Sequence, residues 1–112
     1  MEENDEPPKP LKFVGRSLDE IKGFPSDVRQ DAGFNLDLIQ NGKNPSDWKP
    51  LKGVGRGVRE IRLWDDSGTY RVIYVANLKD AVYVLGAFKK TTQKTENVHL
   101  DLVKTRFKQI DE

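Results

Sequence analysis

The 112-residue chain predicts a single α+β domain. Three observations lead there. Apolar residues recur at helical spacing in two separated stretches. Runs of β-branched and aromatic residues lie together between them. Helices and strands come in blocks and do not alternate strictly. The length suits one core and is too short for two.

Met1 to Pro10 holds three prolines and four acidic residues and reads as a flexible N-terminal arm, leaving 11–112 as the domain. Leu11–Gly15 (LKFVG) is a short strand. Ser17 opens SLDE, a capping-box pattern with Glu20 three residues on. Leu18 and Ile21 give this short helix its apolar stripe before Gly23 and Pro25 end it. Ser26 starts the clearest helix, with Val28, Ala32, Leu36 and Ile39 at steps of four, four and three and Gly42 as its C-terminal stop. Gly33 weakens this helix and is expected to admit another element closely. The two helices form a hairpin. Asn44–Gly57, with two prolines and three glycines, is irregular.

Three strands follow: Val58–Trp64, Thr69–Asn77 and Ala81–Phe88. The short polar connections DDSG and NLKD make them an antiparallel meander. Thr95 caps a last amphipathic helix with Leu100, Val103, Phe107 and Ile110 on one stripe. The order is β-α-α-β-β-β-α.

Net charge is +1, but it is unevenly distributed. Met1–Trp48 carries 6 basic against 10 acidic residues, Lys49–Lys94 carries 10 against 4, and Thr95–Glu112 carries 3 against 4. The basic field coincides with the strands, a distribution suited to a polyanion. The alternative is a solvated face with no ligand.

Several chemistries are disfavoured. The chain has no cysteine and one histidine, so thiol catalysis, disulfides and ordinary zinc sites are not expected, and no metal or cofactor is assigned. GVGRG lacks the lysine-serine or lysine-threonine continuation of a phosphate loop. Asp65-Asp66 reads as turn chemistry. No apolar run approaches a membrane span, and MEENDEPPKP is the opposite of a positively charged signal start, so a cytoplasmic protein is expected.

Strand period places the candidate site. A four-residue DDSG loop sets Trp64 opposite Thr69 and Arg62 opposite Arg71. The same reasoning for NLKD sets Arg71 opposite Gly86. Arg62, Arg71, Gly86 and Phe88 then share a face, with Lys90 just beyond. Facing like charges cost a few tenths of a kcal/mol or more, a penalty an anion would remove. Gly86 is expected to leave space beside Arg71. Phe88 is a flat ring suited to base stacking, or else simply core. The guanidinium fork suits phosphate. The expectation is two converging guanidiniums without carboxylate partners. The competing reading pairs Arg62 with Glu60 or Asp65 and Arg71 with an acid from a helix.

The block PLKGVGRGVREIRLWDDSGTYRVIYVANLKDAVYVLGAFKKTTQKT, with its YRVIYVA and VYVLGAFKK strands and the KKTTQKT stretch before a final helix, resembles the RelE/HigB-like toxins. It is closest in pattern to the phage-derived branch of the RelE/ParE superfamily. The resemblance runs from about Leu11 to Ile110. It implies a curved antiparallel sheet and a metal-independent endoribonuclease that cuts mRNA on the ribosome. It also implies a cognate antitoxin, commonly a helix-turn-helix protein. ParE-like relatives instead poison DNA gyrase, and a non-catalytic RNA-binding phage-accessory role is a third possibility.

Arg71 matches a family active-site position. Arg62, or alternatively Arg59, matches the basic residue of the preceding strand. Lys89, Lys90 and Lys94 fall where the family places further basic residues. Lys52 and Arg56 of the glycine loop are candidates to reach RNA or the ribosome. Some members carry a functional tyrosine or histidine near the C-terminus. This chain has no tyrosine after Tyr83, and its only histidine is His99. Proton transfer is thus left to a lysine of lowered pKa, a tyrosine or His99, against a plain surface role for that histidine.

Overall fold

The computed structural model describes residues 7–91 and 96–112. These form β1 (Leu11–Phe13), α1 (Ser17–Lys22), α2 (Ser26–Gln40), β2 (Trp48–Pro50), β3 (Val58–Asp65), β4 (Gly68–Val75), β5 (Val82–Lys90) and α3 (Asn97–Lys108). The strands make one curved, unclosed sheet in the order β1-β5-β4-β3-β2. All neighbours are antiparallel except β1, which runs parallel to β5. The α+β class and the helical hairpin followed by a meander are those the sequence predicts.

The sheet is covered on both faces, which is why β4 and β5 read as nearly continuous apolar runs. On one face Ile61, Leu63, Val72, Tyr74, Val82 and Val84 pack against Val28, Ala32, Leu36 and Ile39 of α2 and Ile21 of α1. On the other, Val58, Ile73, Val75, Tyr83 and Leu85 meet Val103 of α3, with Leu100, Phe107 and Ile110 at its margin. The predicted α3 stripe therefore faces a second core.

Local chemistry departs from expectation at several points. β2 lies in the stretch read as irregular. Its prolines obscured it, but an edge strand tolerates Pro50 because one of its sides needs no donor. Ser17 caps nothing: its hydroxyl donates to Val84 O (3.0 Å) in the core. Glu20 likewise leaves its own helix and accepts from Ala87 N (3.1 Å). Gly33 has open space around it, so no element approaches there. Gly42 does end α2, at φ +80, with Lys43 N donating to Leu38 O (2.9 Å), the helix-stop geometry that favours glycine. The predicted cap Thr95 lies outside the described residues.

Lys9 is tied down. Its ammonium donates to Ala76 O (2.8 Å) and Leu78 O (2.7 Å), and its backbone exchanges hydrogen bonds with Gln40. The fold therefore takes in residues ahead of Leu11.

Three groups fix α3 against the sheet. Arg106 donates through Nη1 to Glu20 Oε1 (2.9 Å) and Leu85 O (3.0 Å), and through Nη2 to Glu20 Oε2 (2.9 Å). This bidentate pair joins α1, β5 and α3. It sits at a bulge: Ile73 pairs with Gly86 but Tyr74 with Val84, leaving Leu85 as the extra residue. The bulge frees the Leu85 carbonyl from the ladder and presents it to Arg106.

Candidate active site

The site grows from the β3–β4 hairpin. Asp65 Oδ1 accepts from the backbone N–H (2.8 Å) and hydroxyl (2.6 Å) of Ser67. The hydroxyl contact, then the turn's N–H groups, hold the Asp65 carboxyl below the usual range. This is the turn role expected of Asp65. From the turn, pairing places Trp64 opposite Thr69 and Arg62 opposite Arg71, the predicted register.

Across β4 and β5 the register differs. Arg71 faces Phe88, and Gly86 faces Ile73. The strands pair two residues away from the expected alignment, so the faces survive while the partners change. On the α3 side three rows adjoin: Trp64, Thr69 and Lys90; then Arg62, Arg71 and Phe88; then Lys49, Glu60, Ile73 and Gly86. Gly86 offers no empty space beside Arg71, because a Cβ there would press on Val103 Cγ1 at 3.0 Å.

The two arginines share a face but are not uncompensated. Arg62 binds Asp47 Oδ1 through Nε (3.0 Å) and Nη2 (2.6 Å). Arg71 Nε lies 2.7 Å from Glu60 Oε2, its side chain 10% exposed and that of Glu60 0%. The expectation of carboxylate-free guanidiniums is therefore overturned, and the partners are not those of the competing reading either. The reason is position: Asp47 precedes β2, and Glu60 lies diagonal to Arg71 across two strands. The Arg71–Glu60 contact is an ion pair by distance only. Neither Arg71 Nε nor either Glu60 oxygen has a well-aligned hydrogen-bond partner. Lys49 Nζ stands 3.8 Å from Glu60 Oε1. Arg71 Nη1 donates weakly to Tyr70 O (3.3 Å), and its Nη2 bonds to none of the described residues.

Lys90 completes the cluster. Its Nζ is buried without a hydrogen-bond partner. Burial first, and then the Arg71 guanidinium, push its ammonium below the usual lysine range, while Glu60 pulls the other way. The native fold therefore binds the Lys90 proton less tightly than the unfolded chain does. Stability linked to this group rises with pH between its lowered native value and the ordinary 10.5. Lys90→Met is accordingly expected to raise the thermal midpoint at pH 7 by about 3–6 °C, equivalent to about 1 kcal/mol, with a smaller gain at pH 10. Unfolding curves at the two pH values check this; a loss of stability at pH 7 would contradict it.

His99 of α3 stacks on Phe88, with ring centroids 3.8 Å apart and planes 4° apart, and its Nε2 lies 3.6 Å from Glu96. The structure thus places His99 beside Phe88, next to the arginine row. It also covers the ring of Phe88 that was to receive a base. The exposed aromatic on this face is Trp64, 59% exposed.

Other sequence candidates are not assembled here. Arg59 is on the opposite face, stacked on Trp48 at 4.0 Å, because odd residues of β3 face the helices. Lys89 also points away, toward Tyr70. Lys52 and Arg56 are exposed in the turn at the Val58 end of β3, four residues or roughly 13 Å along the strand from Arg62. Lys94 lies outside the described residues. Two clefts, of 760 and 650 Å³, are not lined by Arg62, Arg71 or Lys90, although Phe88 borders the second.

Sequence reasoning missed Asp47, Lys49, Glu60 and Trp64 as site residues. Parity held the signal for two of them, since Glu60 and Trp64 flank Arg62 at two-residue steps on β3. Nothing local marked Asp47 or Lys49, which depend on β2. Chemically, the arrangement sets a buried carboxylate among Lys49, Arg71 and Lys90, with an imidazole and an exposed indole at the rim. Such a cluster can bind an oxyanion and move protons without a metal.

Comparison with known proteins agrees with the fold. E. coli toxin RelE, solved in the free state as a double arginine-to-alanine mutant, superposes with a TM-score of 0.60 at 22% identity, covering 92% of this chain and 98% of that one. The Mycobacterium tuberculosis toxin–antitoxin complex RelBE2 gives a TM-score of 0.50 at 19% identity, covering 80% of this chain and 100% of that one. No curated protein sequence matches. The RelE-like architecture is therefore shared: a mixed α+β fold with a curved, unclosed five-stranded sheet and a C-terminal helix. The family model described as phage derived protein Gp49-like (DUF891) matches residues 19–108, and the chain belongs to that family.

Proposed function

We propose that this protein is the toxin of a toxin–antitoxin pair and acts as a metal-independent endoribonuclease on mRNA at the ribosome. The observation that carries the reading is the facing pair Arg62–Arg71, with Lys90 of lowered pKa in the next row. The RelE-like fold and the phage-derived family are consistent with it.

The RNA 2′-oxygen attacks the adjacent phosphorus, the P–O5′ bond breaks, and the products are a 2′,3′-cyclic phosphate and a 5′-OH. Arg71 and Arg62 hold the non-bridging oxygens, whose charge grows in the transition state. Lys90, in its neutral form, accepts the 2′-OH proton. His99 gives a proton to the leaving 5′-oxygen. Glu60 is a positioning residue that keeps Arg71 and Lys90 together until phosphate arrives. The cognate antitoxin, of helix-turn-helix type, blocks this face or its approach.

Mapping transcript ends in cells expressing the protein tests the reading. Cleaved messages with 5′-OH ends, absent in an Arg71 variant, are expected. Intact transcripts alongside induced DNA breaks would replace it with gyrase poisoning, and normal growth would leave only a binding role. A short helix-turn-helix reading frame is expected beside the gene.

Trp64, exposed where one face of Phe88 is taken by His99, serves as the base platform. Trp64→Ala is expected to lower RNA affinity by about 5- to 100-fold, the range of one lost stacking contact, with the thermal midpoint nearly unchanged because the indole is exposed. Gel-shift titration with a short single-stranded RNA checks it. Unchanged affinity would remove Trp64 from the interface.

A further inference from the structure

The 760 Å³ cleft lies on the face covered by α1 and α2, between the end of α2, residues 7–9, and the Arg59 and Tyr74 positions of β3 and β4. The endonuclease reading does not use it. Its volume lies in the range of small-molecule sites. Three basic residues, Lys9, Lys43 and Arg59, line it against one acid, Asp37.

Its polar groups are unevenly satisfied. The Lys9 ammonium is spent on two carbonyls. Arg59 lies over the Trp48 indole, its Cζ 4.0 Å from the ring centroid, and its aligned side-chain hydrogen bond among the described residues is a long one, 3.3 Å, to the neutral Asn44 Oδ1. No described carboxylate forms an ion pair with it. Directly across the ladder, Tyr74 is wholly buried and its hydroxyl has no well-aligned hydrogen-bond partner among the described residues. Burial pushes that hydroxyl's pKa up, while a side-chain contact with Arg59, too poorly aligned to satisfy the hydroxyl, and then the guanidinium's charge draw it back down. A guanidinium with no carboxylate partner among the described residues, beside a buried hydroxyl it satisfies only poorly, leaves hydrogen-bonding capacity open in a basic cleft.

We propose that this cleft binds the oxyanion of a small molecule, a carboxylate or a phosphate monoester, with Arg59 as the principal donor, Lys43 as a second cation and Tyr74 completing the contact. Stacking on Trp48 limits the rearrangement Arg59 must undergo, which favours binding. A water molecule on Tyr74 is the rival occupant.

Trp48 is a built-in reporter. In a Trp64→Phe background it is the chain's single tryptophan. Its emission is followed while inorganic phosphate, or separately succinate, is added at constant ionic strength, with sodium chloride as reference. A saturable change is expected for one of the two ions, and which one saturates identifies the source of the oxyanion. Arg59→Gln is expected to weaken that midpoint about tenfold or more, and Tyr74→Phe about threefold. Circular dichroism confirms folding of each variant. If Arg59→Gln does not fold, Tyr74→Phe and Lys43→Gln carry the test. Emission that follows only ionic strength for both ions, or midpoints unmoved in the folded variants, overturns the proposal and leaves water in the cleft.

Discussion

Arg71→Ala is expected to abolish growth inhibition, to cut RNA cleavage by about 10²–10³-fold, and to destabilise the protein at the same time. On the proposed mechanism, the catalytic loss follows from removing a charged donor to the transferring phosphate. The stability loss follows from Glu60. Its side chain is fully buried, and Arg71 Nε is 2.7 Å from it, while Lys49 stands farther off at 3.8 Å. Removing the guanidinium leaves a buried carboxylate short of counter-charge, a change worth about 3–5 kcal/mol, a large part of the stability of a domain this size.

Two further variants separate the effects. Arg71→Lys keeps the charge but loses the planar fork, so stability should largely survive while cleavage falls about 10-fold or more. Adding Glu60→Gln to Arg71→Ala removes the orphaned charge, so stability should recover in part and cleavage should not. Denaturant unfolding and single-turnover cleavage of a short RNA measure the two quantities. Full cleavage by a folded Arg71→Ala protein would end the nuclease mechanism proposed above.

The second large effect is expected at Arg106. Arg106→Ala should lower stability by about 2–4 kcal/mol and the thermal midpoint by roughly 8–15 °C. The side chain is 8% exposed, its partner Glu20 26%, and the partial wetting of Glu20 is why the lower part of the range for a broken buried pair applies. Arg106 also satisfies the carbonyl that the β5 bulge releases. No isosteric replacement can serve all three acceptors, and even lysine lacks the fork. A double-mutant cycle with Glu20→Gln should give a coupling of about 1–3 kcal/mol. Because α3 carries His99 onto Phe88, loosening this clasp should also reduce cleavage. Hydrogen exchange should show α3 amides opening ahead of the β4 amides. A cycle with no coupling would mean that α3 is held by its apolar stripe alone.

Much of this architecture could be read from local pattern. The α2 stripe and its Gly42 stop, the DDSG hairpin, the Arg62–Arg71 register and the apolar face of α3 each depend on neighbours within a few residues or on strand parity. The misreadings have a common cause as well. Ser17 and Glu20 have the spacing of a capping box, yet both side chains turn to β5, whose carbonyl and amide groups the sequence does not place beside α1. β2 was hidden by prolines that matter only if a strand is central. Arg71 faces Phe88 and not Gly86 because the connection after β4 and the bulge at Leu85 shift the pairing by two.

The candidate site divides in the same way. Which basic side chains share a face was legible for Arg62, Arg71 and Lys90, and the same parity, applied strictly, puts Arg59 and Lys89 on the other face. What those charges touch was not legible. Glu60 reaches Arg71 on a diagonal between strands, Asp47 reaches Arg62 from before an edge strand, and His99 reaches Phe88 because α3 packs over β5. Periodicity along the chain determined the elements, their order and the faces of their side chains, since each is set by backbone geometry over a few residues. Tertiary structure alone decided which charges are neutralised, which rings are covered and which hydroxyls are left without a partner, because those depend on distances between segments that the chain brings together from far apart.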